Sequence, residues 1–381
     1  MKRIITTLIL GTIVLVHVAS AANVTYAADA TNRPTAETTG PTGTLTPQSG
    51  NKTLGSGQTL ENVELNGCVT VSSGSSNVTI RNVKVNCTTG TASITISSNS
   101  QNVIIEKVEA ARPTANAVSM FIGAANNVTV RAADMSNGGD VIMINDVNGL
   151  TIENSFLHDP KLANDGHVDV IQIVGGKNIV IRNNTITLSV GAAGSGAYVA
   201  GVLAKADLAA IDNVLIESNY FSGGQFSVYT MAGNNSCNVN SSGQFAAPTN
   251  MKIQFNTFSG TNGVLPLVAN PGAGQVINCN KLPSGGLIQY RKYDNPSCDG
   301  ATYTSTCSGA QPTAWPTTVP SCANKMLGDA DCNGTISIAD YAWWRAEYIG
   351  TVITKNSDFT GDGKVTLADY AAWKTTFTSG V

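Results

Sequence analysis

The chain is short of charge. Of 381 residues only 12% are Asp, Glu, Lys or Arg, the formal balance is −3, and the basic residues never gather into a run. Nucleic-acid binding rests on neutralising phosphates, so nothing here favours such a partner. Histidine is scarcer still, with three in all: His17 in the N-terminal apolar segment, and His158 and His167 close together. Beyond the N-terminus no stretch approaches 18 uninterrupted apolar residues, which leaves no candidate for membrane insertion. Paired CxxC spacing is also missing, so the eight cysteines do not read as zinc ligands. An even number of cysteines in an oxidising compartment reads as disulfides. Of the 105 pairings that eight allow, closeness in sequence favours Cys68–Cys87 and Cys298–Cys307.

The compartment is read from "MKRIITTLILGTIVLVHVASA", which joins two early cations, an apolar run and the small-residue site Ala19-Ser20-Ala21. That pattern predicts a secretory signal over 1–21 and a secreted or cell-surface protein. Residues 22–51, rich in Thr, Pro and Gly, have little to bury and read as an extended tether. A second Pro/Thr stretch marks a linker at 301–324.

Between them the sequence repeats. "NVTIRNVKV", "NVIIEKVEA", "NVTVRAADM", "GLTIENSFL", "NIVIRNNTI", "NVLIESNYF" and "NMKIQFNTF" begin at residues 77, 102, 127, 149, 178, 213 and 250. Apolar residues alternate within each copy as a half-buried strand requires, and shorter strand signals such as "DVIMI" and "DVIQI" precede most copies. The expected fold is therefore all-β: a solenoid over 52–300, each coil burying its apolar side against the next. The Asn183-Asn184, Asn219 and Asn256 positions are expected to stack as an amide ladder. The repeat resembles the right-handed parallel β-helix superfamily of pectate lyases, polygalacturonases, phage tailspikes and adhesins. That resemblance implies a polysaccharide-active protein, but no catalytic signature of those families is present to carry over.

Residues 325–381 hold two copies of an oxygen-rich spacing. Asp329, Asp331, Asn333, Ser337 and Asp340, with Gly334 at the sixth place, are followed by Asp358, Thr360, Asp362, Thr366 and Asp369, with Gly363 at the sixth. These match positions 1, 3, 5, 9 and 12 of an EF-hand-type calcium loop, each entering a similar segment, "IADYAWW" and "LADYAAW". The duplication resembles a dockerin, a small α-helical calcium-binding domain. The resemblance implies calcium as cofactor and a cohesin-like domain on a scaffold or cell surface as partner. Small hydroxyl residues common in dockerins at loop positions 10 and 11 are replaced by Ile338-Ala339 and Leu367-Ala368.

Candidate chemistry gathers at 140–172. If Asp140 and Asp169 hold the same place on successive coils, stacking brings two carboxyl groups to strand spacing, roughly 5 Å, and one then has a raised pKa or a cation sits between them. A hydrolase uses one protonated acid and one carboxylate; a lyase uses a base and a cation. Asp140, Asp169 and His167 are the catalytic candidates, with Gln172, Lys205, Tyr229 and His158 as substrate-binding candidates. The competing account is that both aspartates merely cap strand entry. Two readings stay open: a secreted polysaccharide hydrolase or lyase, and a non-catalytic carbohydrate-binding or adhesin-like rod.

Overall fold

The computed structural model describes residues 33–112, 114, 117–161, 168–188, 199–233, 246–260, 265–269, 272–292, 300–308, 327–330, 336, 340, 344, 348, 357–361 and 364–379. Two sheets wind along its length, built from parallel pairs except for the last pair of one, Gln289–Lys292 with Ala301–Thr304, which is antiparallel. An eleven-stranded sheet runs in chain order from Lys52–Leu54 to Ala301–Thr304, and a fifteen-stranded sheet takes the strands that follow each of its members. Every coil thus crosses the eleven-stranded sheet once and then the fifteen-stranded one, as in Ile142–Ile144 followed by Val147–Glu153 and Phe156–His158. This is a parallel β-helix, mostly β as expected. Chain crossovers between parallel strands favour a right-handed coil.

Periodicity explains the interior. Ile80, Ile105, Val130, Ile152, Ile181, Ile216 and Ile253 occupy one register position on successive coils and are all fully buried. Each such side chain contributes roughly 1.5–3 kcal/mol relative to exposure. The second arm of the larger sheet ends in aromatic stacking, with the rings of Phe221 and Phe258 5.1 Å apart. All of these side chains belong to one continuous core.

Turns are made by asparagine because its backbone tolerates positive φ. The first residue of the repeat, Asn77, Asn102, Asn127, Asn178, Asn213 and Asn250, has φ between 50° and 57°. In the fourth copy Gly149 takes this place at φ 80°, and a Cβ there would meet the side-chain Oδ1 of Asn127 at 2.9 Å. The expected amide ladder is present one turn later. Asn184, Asn219 and Asn256 are fully buried, and each donates its backbone N–H and side-chain amide to the Oδ1 of the next member, ending at Asn280, at 2.9–3.1 Å. The same side-chain amides also donate to the carbonyls of Ile152, Ile181 and Ile216.

Two expectations are corrected. From residue 33 the supposed tether is docked rather than free: Arg33 lies over the Tyr220 ring at 4.2 Å, Gly40 donates to Ala132 O, and Thr46–Ser49 is already a strand paired with Thr59–Asn66. A Thr/Pro-rich segment with little to bury still satisfies its backbone groups on a sheet surface. Cys307 pairs with Cys279, not Cys298, which lies outside the described residues. The parallel bridge between Asn278 and Thr306 sets the following residues, both cysteines, side by side with Cα atoms 4.2 Å apart. The Cys68–Cys87 bond forms as expected. Among the described residues no helix is long and apolar enough to cross a membrane.

Candidate functional site

Asp140 and Asp169 do occupy the same place on successive coils. Ile142 pairs with Ile171 and Met143 with Gln172, so the residues two and three positions earlier fall in step. The carboxyl groups then form a short ladder: Asp140 Oδ1 accepts the Asp169 N–H at 2.8 Å, and Asp169 Oδ1 accepts the Ala200 N–H at 3.0 Å. Asp169 is only 1% exposed. Burial, reinforced by the neighbouring Asp140 charge and opposed by the Ala200 hydrogen bond, pushes its pKa well above the usual carboxylate range. Burial therefore favours the protonated form at Asp169, while Asp140 is half-buried at the strand entry and nearer solvent. Both aspartates also cap strand entry, since each accepts the amide of the second residue of the following strand, in Val168–Ile173 and Val199–Lys205.

The outer face of the eleven-stranded sheet runs alongside. Phe121, Met143, Gln172, Leu203, Tyr229 and Val268 share one register position, and their immediate neighbours Ile142, Ile144, Ile171 and Ile173 fill the core. Alternation therefore turns this column away from the core, where Phe121, Met143, Gln172 and Tyr229 are half-buried, Leu203 and Val268 are buried in a second apolar cluster with Ala200 and Phe226, and Arg291 continues the column. Gln172 and Tyr229 are thus on one column, two coils apart, with Leu203 between them. Phe226 packs against Tyr229 with ring centroids 4.8 Å apart. Lys205 lies at the neighbouring outward position and holds Asp207 at 2.9 Å. The apolar members Phe121, Met143 and Leu203 did not stand out in the sequence, where they read as ordinary strand residues.

His158 goes elsewhere. It lies in the fifteen-stranded sheet opposite Ser136 and Thr187, stacked on Phe156 at 4.0 Å, with Nδ1 2.7 Å from Asp159 and Nε2 2.9 Å from Asp134. Burial pulls its pKa down, and the hydrogen bonds and charges of Asp134 and Asp159 outweigh that and leave it raised. Both ring nitrogens are occupied, which removes His158 from the substrate-binding set. His167 lies outside the described residues.

In the C-terminal module, Asp331, Asn333, Ser337 and Asp362 also lie outside the described residues. The two twelfth-position aspartates, both fully buried, make equivalent contacts: Asp340 Oδ1 accepts the N–H of Ala330, and Asp369 Oδ1 that of Phe359, each at the second place of its loop. Asp369 further accepts from the backbone and hydroxyl groups of Thr360 and Thr366. Burial raises its pKa, and these hydrogen bonds together overcome burial and lower it. Thr366 Oγ1 in turn accepts the Ala368 N–H, so Thr366 and Asp369 form a capping box on the helix Leu367–Ser379. Among the described residues no group of three or more His, Cys, Asp or Glu converges on a metal. The donors that are placed, Asp329, Asp340, Asp358, Thr360, Thr366 and Asp369, are all hard oxygens of the kind calcium takes, and a hydroxyl that donates to Asp369 keeps lone pairs for a cation.

No family model matches the chain, and no curated protein matches it. Similar solved structures include the enzymatically active domain of tailspike protein 2 of bacteriophage CBA120 (10% identity, TM-score 0.30), of which the chain spans 40% while 67% of the chain is covered. The endo-xylogalacturonan hydrolase from Aspergillus tubingensis is 14% identical over 69% of this chain and 80% of its own, with TM-score 0.29. The alginate lyase AlyF-OU02, in complex with G6, is 13% identical over 62% of this chain and 72% of its own, with TM-score 0.24. Likeness of that degree says nothing of this chain's reaction.

Proposed function

We propose that the protein is an exported polysaccharide-degrading enzyme whose substrate lies along the outer face of the eleven-stranded sheet, with Asp169 and Asp140 as its acid–base pair. The observation that carries the proposal is the pair itself: two carboxyl groups in step on adjacent coils, one buried with its pKa pushed up by burial and the neighbouring charge, the other nearer solvent. Carboxyl pairs whose environments drive their pKa values apart are the usual equipment for general acid and base work on glycosidic bonds. Gln172 and Tyr229, one column away, offer an amide for hydroxyl groups and a ring face for a sugar. Hydrolysis and elimination both remain within this proposal. Export through the 1–21 segment fits the disulfides, and capture of a calcium-loaded 325–381 module by a cohesin-like domain would place the enzyme on a scaffold or cell surface. The described donors would hold that calcium, which would knit each loop to its helix.

The test is a panel of polysaccharides with wild type, Asp169→Asn and Asp140→Asn. Turnover is expected to fall at least ~10²-fold in each variant with the fold retained. Unchanged turnover in both would remove the acid–base pair. A second reading, a carbohydrate-binding rod without catalysis, is favoured by the capping hydrogen bonds of both aspartates. It predicts binding but no product from wild type.

A further inference from the structure

We infer that the Cys68–Cys87 disulfide is a thiol-exchange site: a small thiol attaches at Cys68, and Cys87 leaves as a thiolate held by the buried guanidinium of Arg112. The bond joins neighbouring coils near the start of the solenoid, linking the residue before Val69–Val71 to the connector that follows Ser76–Val85. Its two ends differ in surroundings. Cys87 is 1% exposed, whereas Cys68 is half-buried and its sulfur touches the exposed Thr89.

Arg112 ends the strand Gln101–Arg112 and is 2% exposed, yet no carboxylate meets it among the described residues. Arg81, Arg131 and Arg182 in the same sheet each meet a glutamate. Arg112 Nη1 donates instead to Cys87 O at 2.8 Å and to Cys87 Sγ at 3.1 Å, Nη2 donates to Gly90 O, and Nε has no partner. A desolvated cation whose partners are carbonyls and a weakly accepting disulfide sulfur is short of an anion. Cutting the disulfide supplies one, since a Cys87 thiolate would already lie at hydrogen-bond distance from Nη1. The carbonyl oxygens of Thr89 and Ala92, 3.1 and 3.5 Å from the same sulfur, oppose that charge, but a full charge in direct contact outweighs two partial ones.

Exchange runs in two balanced steps. The attacking thiolate forms a bond to Cys68 Sγ while the Cys68–Cys87 bond breaks and its electron pair leaves on Cys87 Sγ. A second thiol then attacks the mixed disulfide, giving the oxidised small disulfide and a free Cys68. A leaving thiol of low pKa speeds the first step, and a stabilised thiolate draws the equilibrium towards the reduced state. Strand pairing survives the cut, because Val69–Val71 keeps Lys52–Leu54 on one side and Ala92–Ile96 on the other.

Cys279–Cys307 provides the comparison within the same chain. Cys307 is exposed, so access alone would make that bond the more labile, but among the described residues no cation donates to either of its sulfurs. The full-length protein is equilibrated at pH 7 with mixtures of reduced and oxidised glutathione, alkylated at once with iodoacetamide and mapped by peptide mass spectrometry. Cys68–Cys87 should open in less reducing mixtures than Cys279–Cys307, with early glutathione adducts on Cys68 and alkylation on Cys87. Arg112→Met should lower the equilibrium constant for reducing Cys68–Cys87 about tenfold and leave Cys279–Cys307 unmoved, and Arg112→Lys should lie between. An Arg112 that only props the connector gives the reverse, because its loss would loosen the bond and ease reduction. Opening of Cys279–Cys307 first, adducts collecting on Cys87, or an Arg112→Met variant that opens as readily as wild type overturns the inference. Where Arg112→Met does not fold, the order of opening and the adduct position in wild type decide alone.

Discussion

Asp169 is where burial and chemistry conflict. A carboxyl group whose pKa is raised in the folded state binds its proton more tightly there than in the unfolded chain, so its burial costs stability increasingly as pH climbs above the unfolded value, about 3.9. Asp169→Asn keeps an oxygen for the Ala200 N–H and removes that cost. Its melting temperature should match or exceed wild type at pH 8, with the advantage closing as pH falls towards 4. A variant that is less stable than wild type at every pH would argue that Asp169 is held ionised. His158 has the opposite sign. Its raised pKa means that the contribution of the charged ring to stability is complete below the unfolded value, near 6.5, and is lost as pH rises through the folded one. His158→Gln should therefore be more destabilising at pH 5.5 than at pH 9, and equal losses at both would count against the Asp134–His158–Asp159 arrangement.

The elements are held in register by a device that the sequence displays but that is easily passed over. The fifth residue of each repeat copy reads Arg81, Glu106, Arg131, Glu153, Arg182, Glu217 and Gln254, and Glu61 precedes them in the same column. Charges alternate up the fifteen-stranded sheet. Arg81 meets Glu61 at 2.7 Å, Arg131 meets Glu106 at 3.1 Å and Arg182 meets Glu153 at 2.6 Å. A slip by one coil would place like charges opposite each other, so the ladder favours one winding. The Glu106–Arg131 pair is nearly buried on both sides, with side chains 8% exposed. Glu106→Leu alone removes a buried carboxylate partner of the guanidinium and should cost about 3 kcal/mol in urea unfolding, whereas adding Arg131→Met should recover most of that loss. Additive losses in the double variant would mean that the two side chains do not depend on one another. The first-position asparagines were legible only as a repeat; that they, and Gly149 in the fourth copy, adopt positive φ is decided by the stacked backbone.

At the scale of the whole molecule the solenoid and the C-terminal module should answer differently to calcium. Stability of the β-helix comes from its continuous core and internal ladders, none of which involves the oxygen-rich loops. The module instead closes each loop on a buried aspartate, Asp340 or Asp369. Calcium should raise the protease resistance and helical signal of 325–381 in the full-length protein, chelator should reverse it, and unfolding of the β-sheet signal should stay unchanged. Asp369→Ala should abolish the response of the second loop and also weaken the helix start. A module indifferent to both calcium and chelator would leave the capping box as the whole explanation of Thr366 and Asp369.

Fold class was determined locally, because a solenoid repeats one short pattern of alternating burial and turn-forming asparagine, and neighbours in space are neighbours by one repeat in sequence. The in-step placement of Asp140 and Asp169 followed from the same logic, since "DVIMI" and "DVIQI" align by eye. What no local pattern carries is which way a side chain faces once the coil is closed. His158 and Asp169 are eleven positions apart, yet they belong to different sheets, and His158 is consumed by Asp134 from the coil before. Phe121 and Met143 turn away from the core, and Leu203 in the same column is buried in a second apolar cluster with Ala200, Phe226 and Val268, because alternation is fixed by the core residues beside them, not by their own hydrophobicity. The pairing of Cys279 with Cys307 was likewise decided by the coil, which brings residues 28 apart to adjacent positions and makes proximity along the chain a poor guide.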